Sequence, residues 1–100
     1  MMKGSDWNNS EGMDENLKQI AAMSGMRLAA NPYDVDALFM KGLLLAKLGN
    51  LDEAVGILHG LLIRNPEYPG GWRVLGNLYK KLGDDDRLRE CLDLSSRYVE

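Results

Sequence analysis

Residues 71–84 read GWRVLGNLYKKLGD. Trp72, Leu75 and Tyr79 stand three and four residues apart, the spacing of one helix face. Gly83 then offers a stop. Gly76 interrupts the helix at a cost of about 1 kcal/mol relative to alanine, so its presence asks for a packing reason. The stretch also has an echo. Gly42 lies 34 residues before Gly76, and Gly49 lies 34 before Gly83. Pro32 and Pro66 share that spacing. So do Leu44 and Leu78, Lys47 and Lys81, Leu48 and Leu82, Asp52 and Asp86, and Leu58 and Leu92. A fixed period of this length marks a repeat architecture built from one supersecondary unit.

Each copy reads as two helices joined by a tight turn. In the first copy, 35–68, a helix over 35–48 starts after Asp34, a good N-cap. It stops at Gly49, which adopts a left-handed conformation without steric cost. Asn50 is expected to cap a second helix over 51–64, with Glu53 three residues on, as in a capping box. Asn65-Pro66 closes the unit, because proline disfavours helix in the residue before it. The second copy, 69–100, repeats the plan. Pro69 suits a first helical turn, Gly83 is the stop, and Asp84 is the next cap. Asp84, Asp85 and Asp86 then lie at a helix N-terminus, where negative charge is favoured. Ahead of both copies, 14–34 holds a helix over 14–30 with an apolar stripe of Leu17, Ile20, Met23 and Leu28. It matches the second half of a further repeat. The expected fold is all-α, with about five helices.

Composition narrows the function. One hundred residues suffice for one small domain. Twelve basic against fifteen acidic residues leave a net charge of −3, with no global attraction to nucleic acid or anionic membrane. The single cysteine, Cys91, excludes an intrachain disulfide, and the single histidine, His59, leaves no histidine pair for zinc. The apolar runs at 38–48 and 55–63 are shorter than the roughly 18 to 20 residues of a membrane span. The opening MMKGSDWNNSEG lacks the apolar core of a signal peptide. A disordered tail over 1–13 and a cytoplasmic location are the expectations.

The pattern W-x2-L-G-x2-Y, carried by Trp72, Leu75, Gly76 and Tyr79 on a 34-residue period, resembles the tetratricopeptide repeat family. The resemblance runs from about residue 14 to the C-terminus. The first copy has Leu38, Lys41, Gly42 and Leu45 at the four positions, then Ala54, Leu58 and Pro66 where the family has small, aromatic and proline residues. The second copy has Leu88 and Leu92 at the small and aromatic positions, and Ser95 in place of a later alanine. This resemblance implies an α-solenoid in which the two helices of a repeat cross closely, which accounts for Gly42 and Gly76. Stacked repeats need polar outer faces at their ends. Val55, Leu61 and Leu62 of the first copy become Arg89, Ser95 and Ser96 in the second, so the array is expected to end there, with a piece of a longer repeat chain as the alternative. Ser24 and Arg27 suggest the same of the first helix.

In this family the first helices line a concave groove where ligands lie. Carried over by position, that face holds Asp36, Phe39, Met40, Leu43 and Lys47 in the first copy. In the second it holds Gly70, Arg73, Val74, Asn77, Lys80 and Lys81. An exposed strip of Phe39, Met40 and Leu43 is an interaction surface. Arg73 and Asn77 have the spacing of a lysine and asparagine with which some family members grip a peptide carboxylate. Arginine stands for lysine here and the first copy has Phe39 and Leu43 at those places, so a looser groove for an apolar segment with acidic character is the expectation. Bland readings stand beside it. Lys80 and Lys81 offset a helix dipole, and Phe39, Met40 and Leu43 are alternatively core. Trp7 either returns to the apolar end of the groove or is a plain tail residue. His59 and Cys91 are expected on the surface of second helices, without chemistry. Gly56 and Gly60 either admit another helix or are tolerated surface glycines.

The leading functional expectation is an interaction module, adaptor or scaffold, that binds a protein or peptide segment. A homodimer hiding the same apolar strip is the alternative. No cofactor, metal, nucleic acid or membrane insertion is expected. Neither is enzymatic activity, since no acid, base or nucleophile is gathered in one place and Gly70-Gly71 lacks the rest of a phosphate loop.

Overall fold

The structure, a computed structural model, describes residues 14–98. The expectations for the tail and for Trp7 lie outside the described residues. Five helices follow one another: α1 (Glu15–Ala30), α2 (Val35–Lys47), α3 (Leu51–Arg64), α4 (Gly71–Leu82) and α5 (Asp85–Arg97). The described residues contain no strand. Each helix packs on its neighbours in the chain, α1 on α2, α2 on α3, α3 on α4 and α4 on α5. The result is a flat body of 46 × 32 × 18 Å.

The turns recur at the 34-residue spacing. Gly49 and Gly83 both have left-handed backbones, with φ of 87° and 78°. Gly49 N–H donates to Ala46 O, and Asn50 N–H to Leu45 O. Gly83 N–H donates to Lys80 O, and Asp84 N–H to Tyr79 O, at matching distances of 3.1 and 2.9 Å. These paired bonds form the Schellman motif, which satisfies the last carbonyls of a helix. At the other end of each unit, Asp34 N–H donates to Asn31 O and Tyr68 N–H to Asn65 O, both at 3.0 Å.

The caps differ in part from expectation. Asp14, Asp34 and Asp84 each accept a backbone N–H from the first turn of their helix. Asn50 stands at the start of α3 but its side chain makes no capping bond. Pro69 is not helical. Gly71 N–H donates to Tyr68 O at 3.0 Å, and Gly70 has φ 73° and ψ 0°. Proline followed by such a glycine is a type II turn, so α4 begins two residues later than Pro69.

The core lies between α3, α4 and α5. Ala54, Leu58, Leu61, Leu62, Trp72, Leu75, Leu78, Tyr79 and Cys91 form one buried cluster. Trp72 Nε1–H donates to Pro66 O at 2.8 Å, so the ring is buried with its polar atom satisfied. Two expected faces are overturned. On α1, Met23 is 54% exposed and Ser24 is 3% exposed. The face turned to α2 runs through Leu17, Ile20, Ala21, Ser24 and Leu28, and the small serine allows close packing while its hydroxyl donates to Ala21 O. On α5, Cys91 is buried at 3% exposure and Leu92 is 54% exposed. Leu88, Cys91, Leu94 and Tyr98 share a face at spacings of three, three and four, and all pack into the core. That stripe is more apolar than the Leu88, Leu92 and Ser95 row that the 34-residue offset selects. From Leu88 onward the buried row therefore departs from that of α3, passing through Cys91 instead of Leu92.

Candidate functional site

The residues singled out on α2 and α4 divide by burial. Phe39 and Met40 are half-buried, and Leu43 is exposed at 37%. Phe39 packs on the core edge, its ring centroid 4.8 Å from that of Tyr68 and tilted by 42°. Phe39 is thus partly core, as one reading of the sequence allowed, while Leu43 stays partly exposed. Lys47 is exposed in the last turn of α2, and Lys80 and Lys81 in the last turn of α4. Arg73 and Asn77 are exposed on α4, while Val74 turns toward the core.

Tyr68 sets how the two helices lie. It precedes α4 by three residues, yet its ring meets Phe39 and its hydroxyl donates to Asp36 Oδ1 at 2.8 Å. The link into α4 therefore meets the start of α2. Asp36 is the anionic end of this surface, and the three lysines occupy the other helix ends. Among the described residues no carboxylate lies within ion-pair distance of Lys47, Lys80 or Lys81.

A polar cluster invisible in the sequence holds the anionic end. Arg27 donates through Nε to Asp34 Oδ2 and through Nη2 to Asp34 Oδ1, each at 2.9 Å. Its Nη2 also stands 4.0 Å from Asp36 Oδ2. Asp34 Oδ1 accepts the Ala37 N–H as helix cap. The Ala37 N–H and the Arg27 guanidinium hold the Asp34 carboxyl below the usual carboxylate range. Burial, together with the bond to Asp36, pushes the Tyr68 hydroxyl up to about 12. The cluster joins the end of α1, the start of α2 and the link into α4. Tyr68 and Asp36 are 32 residues apart, a distance that no local motif spans, so nothing in the sequence signals their meeting.

The remaining candidates separate. His59 is exposed and lines a small depression with Ile63, Trp72, Arg87 and Glu90. Cys91 lies at its base, and burial pushes its thiol up to about 11, so it is protonated at neutral pH. Arg87 reaches over Tyr79, 6.0 Å from the ring centre. Among the described residues no group of three or more His, Cys, Asp or Glu is placed to hold a metal ion, and no helix is long and apolar enough to cross a membrane.

No family model, curated protein or solved structure matches this chain.

Proposed function

We propose that the chain is a tetratricopeptide-type interaction module that binds a segment of another protein along the α2 and α4 surface. The segment carries apolar residues against Phe39, Met40 and Leu43. It carries acidic residues toward Lys47, Lys80 and Lys81, with Arg73 and Asn77 between. The observation that carries this reading is the partly exposed Leu43 beside half-buried Phe39 and Met40 on α2, together with Lys47 in the last turn of that helix and Lys80 and Lys81 in the last turn of α4, which pair with no carboxylate of the described residues. Apolar contact supplies affinity, and complementary charge supplies approach and register. The recurrence of both turn types at 34 residues supports the repeat reading.

The test uses a fluorescein-labelled synthetic peptide with a leucine-phenylalanine centre and a glutamate cluster at one end, followed by anisotropy. The reading expects saturable binding that weakens with salt. It expects Leu43→Arg and the Lys80→Glu, Lys81→Glu pair each to weaken binding by about tenfold or more. Binding of equal strength by all three proteins would remove this surface as the site.

A further inference from the structure

α3 presents a second surface. Asp52, Gly56, Gly60 and Arg64 follow one another at four-residue spacing and are all exposed. Such a row is one of the ridges through which helices pack. Its centre is bare backbone. A Cβ at Gly56 or Gly60 would meet nothing within 4 Å, so neither glycine relieves a clash inside this chain, although glycine disfavours helix. An open groove runs over both, walled by Tyr33, Leu38 and Ile57, with Arg64 at one end. Tyr33 is largely exposed. The Arg64 guanidinium lies 5.1 Å from the Tyr33 ring centre. Among the described residues neither Arg64 nor Asp52 forms an ion pair.

The row is complementary to itself. Gly56 and Gly60 are symmetric about residue 58, and so are Asp52 and Arg64. A second α3, laid antiparallel across a two-fold axis at residue 58, sets Gly56 against the other copy's Gly60. It also sets Arg64 of each copy toward Asp52 of the other. Two-fold pairing needs a patch of this kind, in which residue i meets j and j meets i. The bare glycines let the backbones approach, and the apolar groove walls flank the contact.

We propose that two copies of this chain associate through α3 in this way, with the glycines in contact and two symmetric Arg64–Asp52 ion pairs. Phe39, Met40 and Leu43 lie outside this surface, so the association is independent of the binding reading above.

The test is solution mass, by light scattering on the full chain over a range of protein concentrations. The mass rises from monomer toward dimer as concentration rises, less so at high salt. Asp52→Arg and Arg64→Asp each weaken self-association by about tenfold or more, because each homodimer then holds two like-charge pairs. An equimolar mixture of the two variants regains the dimer, since both cross-pairs are again opposite in sign. Gly60→Leu separates the copies while the helical circular dichroism signal is kept, because the position is open in the single chain. A monomer mass at every concentration overturns the proposal. So does a dimer that survives Gly60→Leu, a mixture that stays monomeric, or a dimer lost only in Leu43→Arg.

Discussion

A methyl group added at Gly42 would stand 2.7 Å from Leu58 Cδ2 and 2.8 Å from its Cγ. Leu58 is fully buried and its neighbours leave it little room. At Gly76, the same place in the second copy, the nearest atoms are Cys91 Cβ at 3.3 Å and Leu88 Cδ1 at 3.4 Å. Overpacking a core costs about 1–3 kcal/mol, against a helix gain of about 1 kcal/mol for glycine to alanine. Gly42→Ala is therefore expected to destabilise, and Gly76→Ala to lie near neutral or slightly stabilise. Urea unfolding of both variants checks this, and an equal loss at both would refute the distinction. The period marks both glycines alike. What separates them is the partner: a leucine across from one, a cysteine across from the other. Tyr68 makes the same point for the candidate site. Its own sequence neighbours mark only a turn, while its contacts with Phe39 and Asp36 bring the link into α4 against the start of α2.

Helix by helix, spacing served well where apolar residues were plentiful and less well where they were sparse. α3 carries Ala54, Leu58, Leu61 and Leu62, and every one is buried. α5 has one buried residue, Cys91, and several half-buried ones, so small differences between two stripes decide which way it faces. Leu58 and Leu92 match in the repeat but not in the fold. Leu58→Ala is expected to cost about 2–5 kcal/mol, and Leu92→Ala to stay within about 0.5 kcal/mol. Thermal or urea melts of the two variants decide it, and comparable losses would mean that α5 faces the core through Leu92. α1 shows the same weakness, with Ser24 rather than Met23 turned inward. A single amphipathic pattern does not say which of two adjacent sides a neighbour will cover.

The molecule as a whole is a row of helices, each held by the one before and the one after. Its radius of gyration, 14.5 Å, exceeds the roughly 13 Å of a compact chain of this length. Stability in such a row is a sum over neighbours. α3 and α4 each sit between two helices and carry most of the buried core, whereas α1 packs chiefly on α2 and has Ser24 as its buried residue. Amide hydrogen exchange is expected to be slow in α3. It is expected to be at least about a hundredfold faster in α1, by opening of that helix alone. Equal protection in both would show that the row unfolds as one unit.

The sequence by itself determined that the described residues are helical, that they form five helices, and which turns recur. Those features depend on local chemistry: a left-handed glycine, an aspartate cap or a proline acts on residues within one turn of itself. Only the tertiary structure decided which side of α1 and α5 is buried, that Leu43 stays open while Phe39 leans on Tyr68, and that Arg27, Asp34, Asp36 and Tyr68 gather at one end. These outcomes depend on the shape and chemistry of a neighbour distant in the chain, and packing selects among sides that local spacing leaves nearly equal.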